Sequence, residues 1–95
     1  MKNLYKPGDI VLVENNFTGT EDNFLVLGKY VKWHLCAEFL SAAPVNGLYI
    51  KVGDSYAFLN NIVVLPERSI SENIGRISDT ELEDVKHVIR QMFGQ

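Results

Sequence analysis

His34, Cys36 and Glu38 are the residue types best able to hold a metal or move a proton, and they stand two apart in an alternating stretch. On a strand that spacing puts all three on one face. Side chains from one strand converge on a metal only if a second strand adds ligands. One cysteine and two histidines, His34 and His87, make no zinc spacing. An exposed polar strand face accounts for the same three residues, so neither a metal nor a cofactor is expected. His34 has no carboxylate or nucleophile beside it in sequence to make it a general base. Cys36 has no adjacent basic residue and reads as a packed or idle thiol rather than a nucleophile. Ser41, before Ala42-Ala43-Pro44, reads as a turn residue closing a strand. Glu21-Asp22-Asn23 is either a solvated loop tip or a partner-facing acidic loop. Tyr5, Tyr30, Tyr49 and Tyr56 are spaced to straddle a core and its rim, with base stacking as the other use for such rings.

The elements that would position these groups are short. Ile10–Val13 follows Pro7-Gly8-Asp9 and reads as a strand buried on both faces. Asn15–Asn23 reads as a connection longer than a tight hairpin. Phe24–Leu27 is a second strand, and Gly28 suggests a bulge. From Lys29 the alternation places Val31, Trp33, Leu35, Ala37 and Phe39 on one face, with Trp33 expected in the core. Leu48–Val52 follows the turn signal Pro44-Val45-Asn46-Gly47. Gly53-Asp54 is a second turn, Ser55–Leu59 the next strand and Ile62–Leu65 the last, stopped by Pro66. Ser78-Asp79-Thr80-Glu81 is a capping box opening an amphipathic helix through Leu82, Val85, Ile89, Met92 and Phe93. The predicted fold is mainly β, a small SH3-like antiparallel barrel of five to six strands with one C-terminal α-helix.

The chain has 95 residues, 46% hydrophobic and 22% charged, with a mean hydropathy of −0.01. That is enough apolar material for one core and too little length for two, so residues 1–95 are expected to form a single domain. Nine Lys or Arg against twelve Asp or Glu leave a net charge of −3, which disfavours generic polyanion binding. The lone cysteine excludes an internal disulfide, and Met1–Pro7 has no apolar run suited to a signal peptide. No stretch approaches the roughly 20 apolar residues of a membrane span. A cytoplasmic protein is expected.

Lys6-Pro7-Gly8-Asp9-Ile10-Val11-Leu12-Val13 is similar to the opening strand of the PemK/MazF family of toxins. Ile74-Gly75-Arg76-Ile77-Ser78, followed by a helix, is similar to that family's closing segment. Phe24–Leu27 lies where its second strand would fall. The resemblance spans most of the chain, with specific residues at its two ends, and it implies an SH3-like barrel of a family of sequence-selective endoribonucleases. The family's Arg-Pro pair before the second strand is replaced here by Asp22 and Asn23. Ser41 is the nearest counterpart, by order and spacing, of a Thr or Ser that the family associates with cleavage.

Cleaving RNA through its 2′-hydroxyl needs proton transfer at two oxygens and positive charge on the developing phosphorane. An Asp in place of an Arg opposes that charge and forfeits a contribution of about 3 kcal/mol. Lys29, Lys32, Arg68 and Arg76 are the cations that other elements could bring to the role. The expectation is therefore a degenerate nuclease site on a non-catalytic protein-binding module. Glu21, Asp22 and Asn23 would meet a basic macromolecular partner, as in a phage or mobile-element inhibitor of a host nucleic-acid or defence enzyme. The alternative is a metal-independent endoribonuclease toxin of a type II toxin–antitoxin pair, with Ser41 catalytic and RNA as substrate. The resemblance implies a homodimer in both cases. Met92 and Phe93 fall on or beside the apolar helical stripe and are expected to be buried. The other reading of Met92-Phe93-Gly94-Gln95 is an exposed hook of the kind that CcdB-type gyrase poisons, of the same broad fold, use on their target.

Overall fold

The computed structural model describes residues 5–15 and 17–94. Met1–Leu4, Asn16 and Gln95, placed above in the N-terminal segment, the first loop and the C-terminal end, lie outside them. Six strands and one helix follow in order: β1 (Asp9–Asn15), β2 (Thr20–Tyr30), β3 (Trp33–Leu40), β4 (Tyr49–Val52), β5 (Ser55–Pro66), β6 (Glu72–Arg76) and α1 (Asp79–Met92). A single 3-10 turn, Glu67–Ser69, separates β5 from β6. All strands pair antiparallel in one sheet of order β4-β5-β3-β2-β1-β6. The mainly β class with one C-terminal helix is as the sequence predicts.

The unbroken apolar run in β2 is explained by two cores, one on each face of the sheet. Leu25 and Leu27 join Ala37, Phe39, Val52, Ala57 and Leu59 in the larger core, which Leu82 and Val85 of α1 close from above. Phe24 and Val26 point the other way and join Tyr5, Val11, Cys36 and Ile70 in the smaller one. In a flat sheet β1 and β4 would lie about 19 Å apart, yet Ile10 packs against the cluster that contains Val52. The sheet therefore curls. Register shifts at Ile10/Val11, Val26/Gly28 and Ala37/Glu38 supply local bends, and the one at Gly28 is where the glycine within the second apolar run predicts it.

Five expectations change. The strand read as continuous from Lys29 is broken by a two-residue turn at Val31-Lys32, with Val31 at φ 57°. No Gly, Asn or Pro announces it. The long loop read as Asn15–Asn23 shrinks to a tight turn. The Asn15 side chain accepts hydrogen bonds from the Phe17 and Thr18 amides (3.0 and 3.3 Å), and Gly19 at φ 72° swings the chain into β2. The two strands read at Ser55–Leu59 and Ile62–Leu65 are one, β5. Asn60 and Asn61 sit in its bulge, where Asn60 Oδ1 accepts from the Leu48 amide and Asn61 Nδ2 donates to Glu38. The sixth strand is instead β6, paired with β1 through Asp9–Arg76 and Leu12–Glu72.

The fourth change concerns which face of β3 is covered. His34 and Cys36 are fully buried, while Trp33 and Leu35 are 46% and 41% exposed. The alternation is as read, but coverage switches along the strand. Tyr5 and Ile70 cover one face near Trp33, whereas the opposite face is closed only further on, at Ala37 and Phe39. The exposed polar face predicted for His34 and Cys36, and the buried Trp33, are both corrected. Helix α1 has the predicted capping box, with Ser78 Oγ accepting from the Glu81 amide and Glu81 Oε1 accepting from the Ser78 amide. It ends sooner than its apolar stripe: Met92 is 48% and Phe93 77% exposed, so the expected burial of both is also corrected. Among the described residues no helix is long and apolar enough to cross a membrane.

Candidate functional site

Ser41 is exposed and directly follows β3. In the ladder the row Leu40–Tyr56–Lys51 ends beside it, so the basic residue nearest by register, Lys51, stands two strands away, about 10 Å between backbones. Glu21, Asp22 and Asn23 belong to β2 rather than to a loop, opposite Glu14, Val13 and Leu12 of β1. Their polar side chains disguise a strand whose pairing comes from the apolar partner. Glu14 facing Glu21 concentrates negative charge at this end of the sheet, with Asp22 beside it.

The four candidate cations separate. Arg76 is committed to structure: its Nη1 donates to Asp9 Oδ1 at 2.8 Å and to the Pro7 carbonyl at 3.1 Å, and its Nη2 lies 3.5 Å from Asp79 Oδ1. Lys29 sits in β2 opposite His34. Lys32 and Arg68 are exposed and line the same open cleft.

Local chemistry builds that cleft. Val31 in the left-handed region closes the β2–β3 turn. The Lys32 carbonyl then accepts the Glu67 amide at 2.8 Å, which clamps the turn to the 3-10 turn after β5. Ser69 Oγ donates to the Pro66 carbonyl at 2.8 Å and the Ile70 amide to the Glu67 carbonyl at 3.2 Å, holding the 3-10 turn closed. The result is a cavity of about 520 Å³ lined by Tyr5, Lys32, Trp33, Glu67, Arg68 and Ile70, within the ~300–1,000 Å³ range of small-ligand sites.

His34 lies directly behind this cleft. The Tyr5 ring meets it edge-on at 5.7 Å between centroids, and Glu67 Oε2 is 3.5 Å from its Nε2. That distance is long for a hydrogen bond, and neither ring nitrogen has a hydrogen-bond partner among the described residues. The proximity is therefore a charge contact when the imidazole is protonated and a loose polar contact when it is not. His34 stands out in the sequence but its carboxylate does not, because Glu67 arrives from the far end of β5. Lys32 and Arg68 are far apart in sequence, and the clamp between the two turns brings them together.

Burial pushes the Cys36 thiol up to about 12, so it stays protonated and unreactive. Glu38 is partly buried beside it and bound by Asn61 at 3.1 Å. Among the described residues no three His, Cys, Asp or Glu side chains are grouped to hold a metal. A smaller cleft at the far end of α1, lined by Leu35, Lys86, Ile89, Arg90, Met92 and Phe93, is mostly apolar.

No protein-family model and no curated protein matches this sequence. Among solved structures, the chain is similar to an endoribonuclease in complex with its cognate antitoxin from mycobacterial species. The TM-score is 0.70 at 11% identity, over 98% of this chain and 96% of that one. The chain thus shares that endoribonuclease's fold from end to end.

Proposed function

We propose that this protein is a toxin of the PemK/MazF kind, a metal-independent endoribonuclease restrained by a protein antitoxin. The observation that carries the reading is the end-to-end correspondence of fold with an endoribonuclease, covering 98% of this chain, together with the opening and closing segments that resemble the family. A cytoplasmic homodimer goes with it. In this reading the exposed Ser41 hydroxyl contacts the scissile phosphate. Charge stabilisation comes from cations outside the position that Asp22 occupies, Lys51 being the nearest by register.

A second reading is supported by Glu14, Glu21 and Asp22 gathered at one end of β1 and β2. There the chain is a non-catalytic module whose Glu21-Asp22-Asn23 edge docks a basic protein through complementary charge. One assay separates the two. Purified protein is incubated with RNA in a chelator, beside Ser41→Ala and Asp22→Arg. Under the toxin reading the parent cleaves without metal, Ser41→Ala loses about 100-fold or more, and Asp22→Arg cleaves faster. A parent that leaves RNA intact, with a basic protein recovered by the parent and lost by Asp22→Arg, overturns it in favour of the module.

A further inference from the structure

We propose that the cleft between the β2–β3 turn and the 3-10 turn is a binding site for a guanine nucleotide, read through Glu67. Three kinds of group meet there. Trp33 offers an indole that is 46% exposed although it sits in a strand, and aromatic faces of this kind stack on bases. Lys32 and Arg68 place two cations on the same cleft, where a phosphate would be held. Glu67 adds a carboxylate between them whose side chain is only 18% exposed.

The carboxylate decides the base. An ionised Glu accepts hydrogen bonds and donates none. Guanine presents two adjacent donors on its Watson–Crick edge, N1–H and the 2-amino group, which match the two oxygens of one carboxylate. Adenine and cytosine each set a single amino donor beside an acceptor nitrogen, and uracil flanks its one donor with two carbonyls. A bidentate, charge-assisted pair therefore forms with guanine alone. Behind the cleft, the buried His34 has neither ring nitrogen hydrogen-bonded among the described residues and lies 3.5 Å from Glu67 Oε2. At that distance the imidazole is a polar neighbour rather than a hydrogen-bond donor, so it takes up neither carboxylate oxygen that a base would use.

Net charge does not oppose this. Glu14, Glu21 and Asp22 stand at the other end of β2, about 30 Å along the strand, several Debye lengths away at physiological salt. The cleft itself sets Lys32 and Arg68 against the single carboxylate of Glu67. It is also remote from Ser41, since the two mark opposite ends of β3, about 26 Å apart. The inference deepens the RNA reading and rests on it only for the polymer as the source of the nucleotide.

Trp33 is the single tryptophan of the chain, so its fluorescence reports on the site directly. Titration with GMP is expected to quench it saturably, with AMP, CMP and UMP weaker by about tenfold or more. Glu67→Gln, which swaps one acceptor for a donor, erases the preference. Arg68→Ala, an exposed position, weakens all four by a similar factor while the thermal melt stays put. Two RNA pentamers, alike except for one central guanosine, identify the source: tighter binding of the guanosine pentamer than of GMP assigns the site to RNA, and the reverse order assigns it to free nucleotide. Absence of saturable quenching by GMP, or equal binding of all four nucleotides that Glu67→Gln leaves unchanged, overturns the proposal. Ser41-dependent RNA cleavage by a protein that ignores GMP would defeat this site and spare the toxin reading. GMP binding by a protein that leaves RNA intact would do the opposite.

Discussion

Cys36 and His34 are neighbours on one face of β3, both shut off from solvent, and sequence treats them alike as candidates for chemistry. Burial separates them. The thiol is raised from 9.0 to about 12, because an isolated thiolate has no partner in an apolar cluster. Two outcomes follow for Cys36. A thiol-alkylating reagent at about pH 8 should leave the native protein untouched and label it fully in urea. The unfolded thiol ionises near 9.0 while the folded one does not, so the contribution of Cys36 to stability is complete below that pH and declines as pH climbs towards 12. The decline is about 1.4 kcal/mol per pH unit, read as a urea midpoint that falls faster in the parent than in Cys36→Ala. That the thiol is no nucleophile was legible, from the absence of a basic neighbour, but its burial was not. The company His34 keeps was not, since a carboxylate contributed by a distant turn leaves no mark on local spacing.

Elements were legible where side-chain type and backbone geometry agree, as in α1, whose capping box sets its first residue, or at Gly53-Asp54, whose turn joins β4 and β5. They were misread where a polar side chain serves a strand. Asn60 looks like an interruption of β5 and is instead the anchor of the long connection before β4, since its Oδ1 takes the Leu48 amide at 2.6 Å. Gly47 completes that anchor: at φ 102° it brings its α-carbon so close that an added Cβ would stand 2.7 Å from Phe58 Cε1 and 3.0 Å from Asn60 Cγ. Gly47→Ala should therefore cost about 2 kcal/mol, from the disfavoured backbone and the overlap together. Chemical denaturation would show it as a lower midpoint at unchanged slope.

For the whole molecule, what sequence conveyed was class and outline, because alternating apolar residues fix how many strands share a core. It did not convey which end of each strand stays open, and that decides where ligands reach. Leu35 and Val64 form an uncovered stretch of the same face that α1 closes elsewhere. The two chain ends are joined by one guanidinium: Arg76 holds Pro7 and Asp9 at the start of β1 and reaches Asp79 at the start of α1. Asp9 is buried and also accepts the Lys6 amide, so Arg76→Ala should lower stability by about 1–2 kcal/mol. Arg76 is 46% exposed, so solvent screens part of its attraction to Asp9. Thermal melting of Arg76→Ala, with Arg76→Lys recovering only part of the loss, would check it.

The pairing of β1 with β6 has a bearing on how the protein comes into being. β1 must wait for Glu72–Arg76, the last of the six strands in chain order, before its outer edge is covered. Late, long-range pairing of this sort slows folding and makes it all-or-none. A polypeptide cut short before β6 would keep its other five strands but leave the outer edge of β1 bare, a ready template for strand addition by another chain.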